Sequence, residues 1–102
     1  MSTQTQKKTT QDIQDALDRR EQDFLMDRAG LTEEDREQVA HGISKLRQAA
    51  DMGTTVSVEV VAQQLVRKLS RPALNYLEGP LTAAKWFVYD RTGRELPMRR
   101  LR

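Results

Sequence analysis

The side chains best placed to do chemistry in this chain are its cations. From residue 67 onward, Arg67, Lys68, Arg71, Lys85, Arg91, Arg94, Arg99, Arg100 and Arg102 face only Glu78, Asp90 and Glu95, a net charge of +6. Residues 1–66 carry eight Lys and Arg against twelve acids, a net of −4, so the +2 of the whole chain conceals a strongly basic end. Such an asymmetry points to a polyanion, most often nucleic acid, on the basic side and a solvated or partner-facing acidic half. The plain alternative is a basic tail that keeps the chain in solution.

Nucleophilic and metal chemistry find little to work with. The chain has no Cys and a single His, His41, so it offers no disulfide framework, no thiolate site and no zinc centre. It contains neither a Gly-rich phosphate loop nor a Gly-x-Ser-x-Gly elbow. Glu33, Glu34, Asp35 and Glu37 could in principle hold a metal or form an acid/base pair, but carboxylates in the first turn of a helix are already explained by its dipole. The expectation is a protein that is not an enzyme and carries no cofactor or metal.

These residues must be positioned by a small fold. A chain of 102 residues with 37% hydrophobic residues fits one domain with a marginal core. No stretch approaches the roughly 18 to 20 apolar residues of a membrane span, and the N-terminus MSTQTQKKTTQ lacks a secretory apolar run. A cytoplasmic protein is expected. Residues 1–9 are polar and read as a disordered tail, leaving 10–102 as a single domain.

Within that domain Ile13, Leu17 and Phe24, with Ala16 and Leu25 beside them, recur at helical steps and predict an amphipathic helix over 10–30. Its narrow stripe either packs on the chain's own core or pairs with a second copy, giving a homodimer through Ile13, Leu17 and Phe24. Thr32, followed by Glu33, Glu34 and Asp35, opens a second helix whose stripe is Val39, Ile43, Leu46 and Ala50 and whose stop is Gly53. His41 and Gly42 lie beside that stripe. Thr54 to Val58 is rich in β-branched residues and reads as a short strand, or as the approach to a helix capped by Ser57 with Val58, Val61, Ala62, Leu65 and Leu69 on one face. Ser70-Arg71-Pro72 starts a short helix through Leu74 and Leu77 that should end at Gly79–Pro80. Trp86 to Tyr89, followed by Asp90-Arg91-Thr92-Gly93-Arg94, predicts a β-hairpin with Trp86 and Val88 facing Met98 and Leu96 on the core side, and Phe87 and Tyr89 outward. The fold class is therefore α+β, three to four helices with a C-terminal hairpin.

This order resembles winged helix-turn-helix domains and, more loosely, excisionase-like small DNA-binding proteins. Val58 to Leu65 matches the supporting helix, with Ala62 at its small position. Ser70-Arg71-Pro72-Ala73-Leu74-Asn75-Tyr76-Leu77 resembles the start of a recognition helix, and Trp86 to Arg99 the wing. The likeness covers residues 32–100, although Val66-Arg67-Lys68-Leu69 makes a longer turn than usual and has no glycine. It implies that Arg71 and Asn75 read base edges, that Ser70 meets a phosphate, that Arg67, Lys68, Arg91 and Arg94 contact the DNA backbone or minor groove, and that Arg99, Arg100 and Arg102 add charge. The function it implies is duplex-DNA binding, as a transcriptional repressor, excisionase or phage or plasmid accessory factor. Two other readings stand beside it: a protein–protein interaction module of adaptor or inhibitor type, supported by the acidic first half, and RNA binding through the Phe87/Tyr89 face.

Overall fold

The computed structural model describes residues 9–26 and 30–98, and all the regular structure among them is helical. Five helices follow in order: α1 (Thr10–Leu25), α2 (Glu33–Met52), α3 (Thr55–Lys68), α4 (Arg71–Tyr76) and α5 (Glu78–Thr92). Each of the first four begins at a hydroxyl side chain that accepts a backbone N–H of the first turn: Thr9, Thr32, Thr54 and Ser70. At α1 the arrangement is reciprocal, because Asp12 Oδ2 also accepts the Thr9 N–H at 2.7 Å. Of the expected polar tail, Thr9 is this cap, and residues 1–8 lie outside the described residues.

The four long helices form a ring, α1 beside α2, α2 beside α3, α3 beside α5, and α5 back against α1. Side-chain pairs fix their directions. Gln14, early in α1, donates to Asp51 near the end of α2, and Glu59, early in α3, accepts from Arg94 just beyond α5. Neighbours in the ring run antiparallel, the up-down-up-down arrangement that short connections favour. Inside lie Ile13 and Leu17, Val39, Ile43 and Leu46, Val58, Ala62 and Leu65, and Leu81, Ala84, Phe87 and Val88, closed at one end by Leu74 and Leu77 and joined by Leu96. The α1 stripe is thereby taken up within the chain. Ile13 and Leu17 are fully buried and Phe24 half-buried, so of the two alternatives for the stripe the described residues show packing on the chain's own core.

The α1–α2 seam has an electrostatic clasp. Arg47 donates to Gln14 Oε1 at 2.8 Å, Asp18 Oδ1 at 2.7 Å and Glu21 Oε1 at 2.8 Å. Burial alone would lower the basicity of this guanidinium, but the hydrogen bonds to Asp18 and Glu21 outweigh it and hold its pKa above the ordinary value. Arg47→Ala is expected to destabilise the chain by about 1–2 kcal/mol, and by less at high salt, since charge-assisted bonds at a half-exposed site are screened. Urea unfolding of the variant and parent at two salt concentrations checks this.

Three sequence expectations are corrected. Thr55–Val58 is the first turn of α3, capped by Thr54, so the short strand is absent, and Ser57 instead donates its hydroxyl to Ala49 O at 3.0 Å. Gly79–Pro80 does not end a helix; both residues lie in the first turn of α5, where the N–H that proline lacks has no intrahelical partner to lose. Most consequentially, residues 86–98 form no hairpin, so the described residues are all-helical rather than α+β and the expected wing is replaced by the end of α5 and an irregular segment. Trp86 to Tyr89 lie in α5, and Gly93, read as the hairpin turn, is the helix stop, its φ of 73° giving the left-handed cap a β-carbon would disfavour. The reason is a stripe within α5 that outranks strand propensity: Leu81, Ala84 and Val88 recur at steps of three and four and are all buried. Phe87 and Val88, adjacent in sequence, both point inward, which no strand permits.

Candidate interaction face

The residues expected to touch DNA fall into two groups at opposite ends of the bundle. Arg67 and Lys68 end α3, and Arg71 and Asn75 lie on α4; all four are exposed. Arg91 and Arg94 lie at the far end, where Arg94 donates to Glu59 Oε1 at 2.8 Å. Glu59 and Arg67 are eight residues apart on α3, about 12 Å along its axis at 1.5 Å per residue. Arg91 lays its guanidinium 3.8 Å from the Phe87 ring centroid and donates to Phe87 O, shielding the core. Arg99, Arg100 and Arg102 lie outside the described residues.

The corner between α3 and α4 is short and held against α2. α4 has six residues and packs on α2 rather than on α3. Its first turn is docked: Ser70 Oγ donates to Asp35 Oδ1 at 2.7 Å, and the Ser70 N–H donates to Gln38. The hydroxyl assigned to a phosphate thus already serves a carboxylate, whose negative charge repels a second anion there.

At the same end Tyr76 donates its hydroxyl to Arg20 O at 3.1 Å and meets Phe24 at a centroid distance of 6.2 Å. Arg20 stands over the Tyr76 ring and Arg36 over that of Phe24, so cations flank both rings. Burial, reinforced by the negative charge of Asp23, raises the Tyr76 phenol above its ordinary pKa near 10, with Arg20 and Arg36 opposing. The folded chain therefore holds this proton more tightly than the unfolded chain. The corresponding stability is full below about pH 10 and is lost as pH rises through the raised value. Tyr76→Phe should flatten the fall in stability between about pH 9 and about pH 11 relative to the parent, which denaturant titration across that range measures.

Sequence reasoning missed the face between α1 and α5. Trp86, assigned to the core, is 39% exposed, and Tyr89 is 40% exposed. Their rings meet edge to face, centroids 5.6 Å apart at 90°, and the Lys85 ammonium lies 5.0 Å from the Trp86 centroid. Beside Trp86 a cleft of about 380 Å³ opens between the helices, lined by Ala16, Arg19, Arg20 and Asp23 from α1 and by Gly79, Pro80, Thr82, Ala83 and Trp86 from α5. Small residues make the trough: Ala16, Gly79 and Ala83 bring no bulk to the seam. The signal was present in the sequence, since a helix apolar on both faces needs cover on both. A second, apolar groove of about 340 Å³ runs between α2 and α3, where Met52, Val56 and Val60 are exposed.

Among the described residues no group of three or more His, Cys, Asp or Glu is placed to hold a metal ion, and no helix is long and apolar enough to cross a membrane. Glu33, Glu34 and Glu37 are exposed at the start of α2, and His41 is exposed farther along it. Compared with protein-family models, with curated proteins and with solved structures, the chain matches none.

Proposed function

We propose that this chain is a non-catalytic helical interaction module that binds a partner protein through the α1–α5 face. The observation that carries this reading is α5 itself, whose inner face fills the core while its outer face holds Trp86 and Tyr89 against solvent, in contact with each other and beside a cleft. Single exposed apolar residues are ordinary on a protein surface. A tryptophan and a tyrosine side by side, with Arg19 and Arg20 across the seam, form the composition that dominates binding energy at protein interfaces.

The test is affinity capture with the parent and with Trp86→Ala/Tyr89→Ala, each with and without nuclease. The expected result is a defined protein that the parent retains after nuclease treatment and the double variant loses. Identical captured sets would refute the reading.

A duplex-DNA reading keeps one specific support, the exposed Arg67, Lys68 and Arg71 within five positions at the α3–α4 corner. It requires the affinity for a labelled duplex, read by anisotropy, to fall by orders of magnitude between about 50 and about 200 mM salt, and Lys68→Ala/Arg71→Ala to weaken binding. On the protein-binding reading neither change is seen.

A further inference from the structure

Resting on the protein-binding reading, we propose that the α1–α5 cleft takes an acidic segment of the partner, with a carboxylate between Arg19 and Arg20 and an apolar neighbour laid over Trp86 and Ala83. The cleft has the size of a site for a few side chains rather than a whole helix. Its two materials are separate. The α5 wall is mostly apolar, with Trp86 and Ala83 beside Thr82, and the α1 wall is mostly charged, with Arg19 and Arg20 beside Asp23.

Charge selects the sign of the occupant. The lining holds Arg19 and Arg20 against the single carboxylate of Asp23, and Lys85 adds a cation at the Trp86 ring. Asp23 pairs with Arg20 at 3.6 Å, beyond hydrogen-bond length, with both side chains well exposed, at 38% and 55%. That pairing is weak and screened. A carboxylate from outside can form the shorter, forked contact that guanidinium geometry favours. Its apolar neighbour would cover the exposed indole, so the two halves of the segment are recognised by different chemistry and their spacing is read.

Trp86 is the one tryptophan of the chain, so its fluorescence reports on this site alone. The experiment titrates the full chain with a short blocked peptide of Glu and Leu. Control titrations use the same peptide with Lys in place of Glu, and oligothymidylate. The expected result is saturable change in Trp86 emission with the Glu peptide only, weakened by salt. Arg19→Glu should weaken binding about tenfold, because attraction becomes repulsion. Asp23→Asn should strengthen it about threefold by removing the internal competitor for Arg20. Shifts of opposite sign cannot both come from lost folding, and circular dichroism confirms the helix content of each variant. Equal binding of the Lys peptide, no response to the Glu peptide, or an unchanged affinity in both variants overturns the acidic-segment proposal. A tighter response to oligothymidylate overturns it in favour of nucleic acid. If the proposal fails while capture still depends on Trp86 and Tyr89, the protein-binding reading stands and only the chemistry of the segment is wrong.

Discussion

Phe87→Ala should lower the unfolding free energy by about 3–5 kcal/mol, while Trp86→Ala, one residue away, should lower it by about 1 kcal/mol. The contrast follows from helix geometry. Phe87 is 2% exposed and packs within the central cluster, so truncation removes its transfer free energy and leaves a void that a close-packed core fills only in part. Arg91 adds to the loss, because its guanidinium is spread on the ring and would be left over a cavity. Trp86 points outward and rests only on the seam and on Tyr89. Val88→Ala should also be costly, by about 1–3 kcal/mol, since Val88 is fully buried beside Phe87. A strand at 86–89 predicts the reverse order, with Trp86 and Val88 critical and Phe87 tolerant. Urea unfolding of the three variants, followed by circular dichroism, separates the two arrangements.

Gly42→Val should destabilise by about 3 kcal/mol, and Gly42→Ala by about 1 kcal/mol, although alanine is the better helix former. A β-carbon at Gly42 would stand 2.6 Å from Leu77 Cδ1, 3.4 Å from Leu69 Cδ1 and 3.9 Å from Leu65 Cδ2. These are flexible side-chain ends, but Leu77 is fully buried and Leu69 and Leu65 nearly so, so they have little free volume to retreat into. For alanine the gain in helix propensity, about 1 kcal/mol, offsets part of the strain; for valine the branched side chain adds bulk and gives that gain back. Thermal unfolding of both variants gives the order directly. A Gly42→Ala chain more stable than the parent would show that Leu77 has room to move.

Much of this architecture is written locally. Thr32 with its acidic turn, the Val39–Ile43–Leu46–Ala50 stripe and Gly53 mark α2 within a residue of its observed ends, and Ser70-Arg71-Pro72 marks the start of α4. These signals need only neighbours in the chain. What was not legible depended on tertiary context. The aromatic run at 86–89 has strand propensity, and because α5 carries apolar residues on both faces, its helical period is blurred where it should be strongest. Gly42 read as a residue beside a stripe because a glycine leaves no apolar mark, yet it is where α2 meets Leu77. The candidate site was hidden for the same reason as α5. Arg19, Arg20 and Trp86 are more than 60 positions apart in part, and only the antiparallel pairing of the first and last helices brings them together. The cations at 67–71, conspicuous in sequence, are met in the fold by an end whose first turn is already held by Asp35.

The ring of helices has one seam unlike the others. Wherever else two long helices meet, little chain separates them, whereas α1 against α5 joins the first element to the last and so closes the longest loop. Closing that loop costs the most chain entropy of any pairing in the ring, and the seam that offsets it is also the most extensively packed. Trp86 sits on it, so stopped-flow emission during refolding reports when this seam closes. On the proposed reading, a partner lying across the same seam would tie the first helix to the fifth, so that its release and the parting of α1 from α5 become linked events.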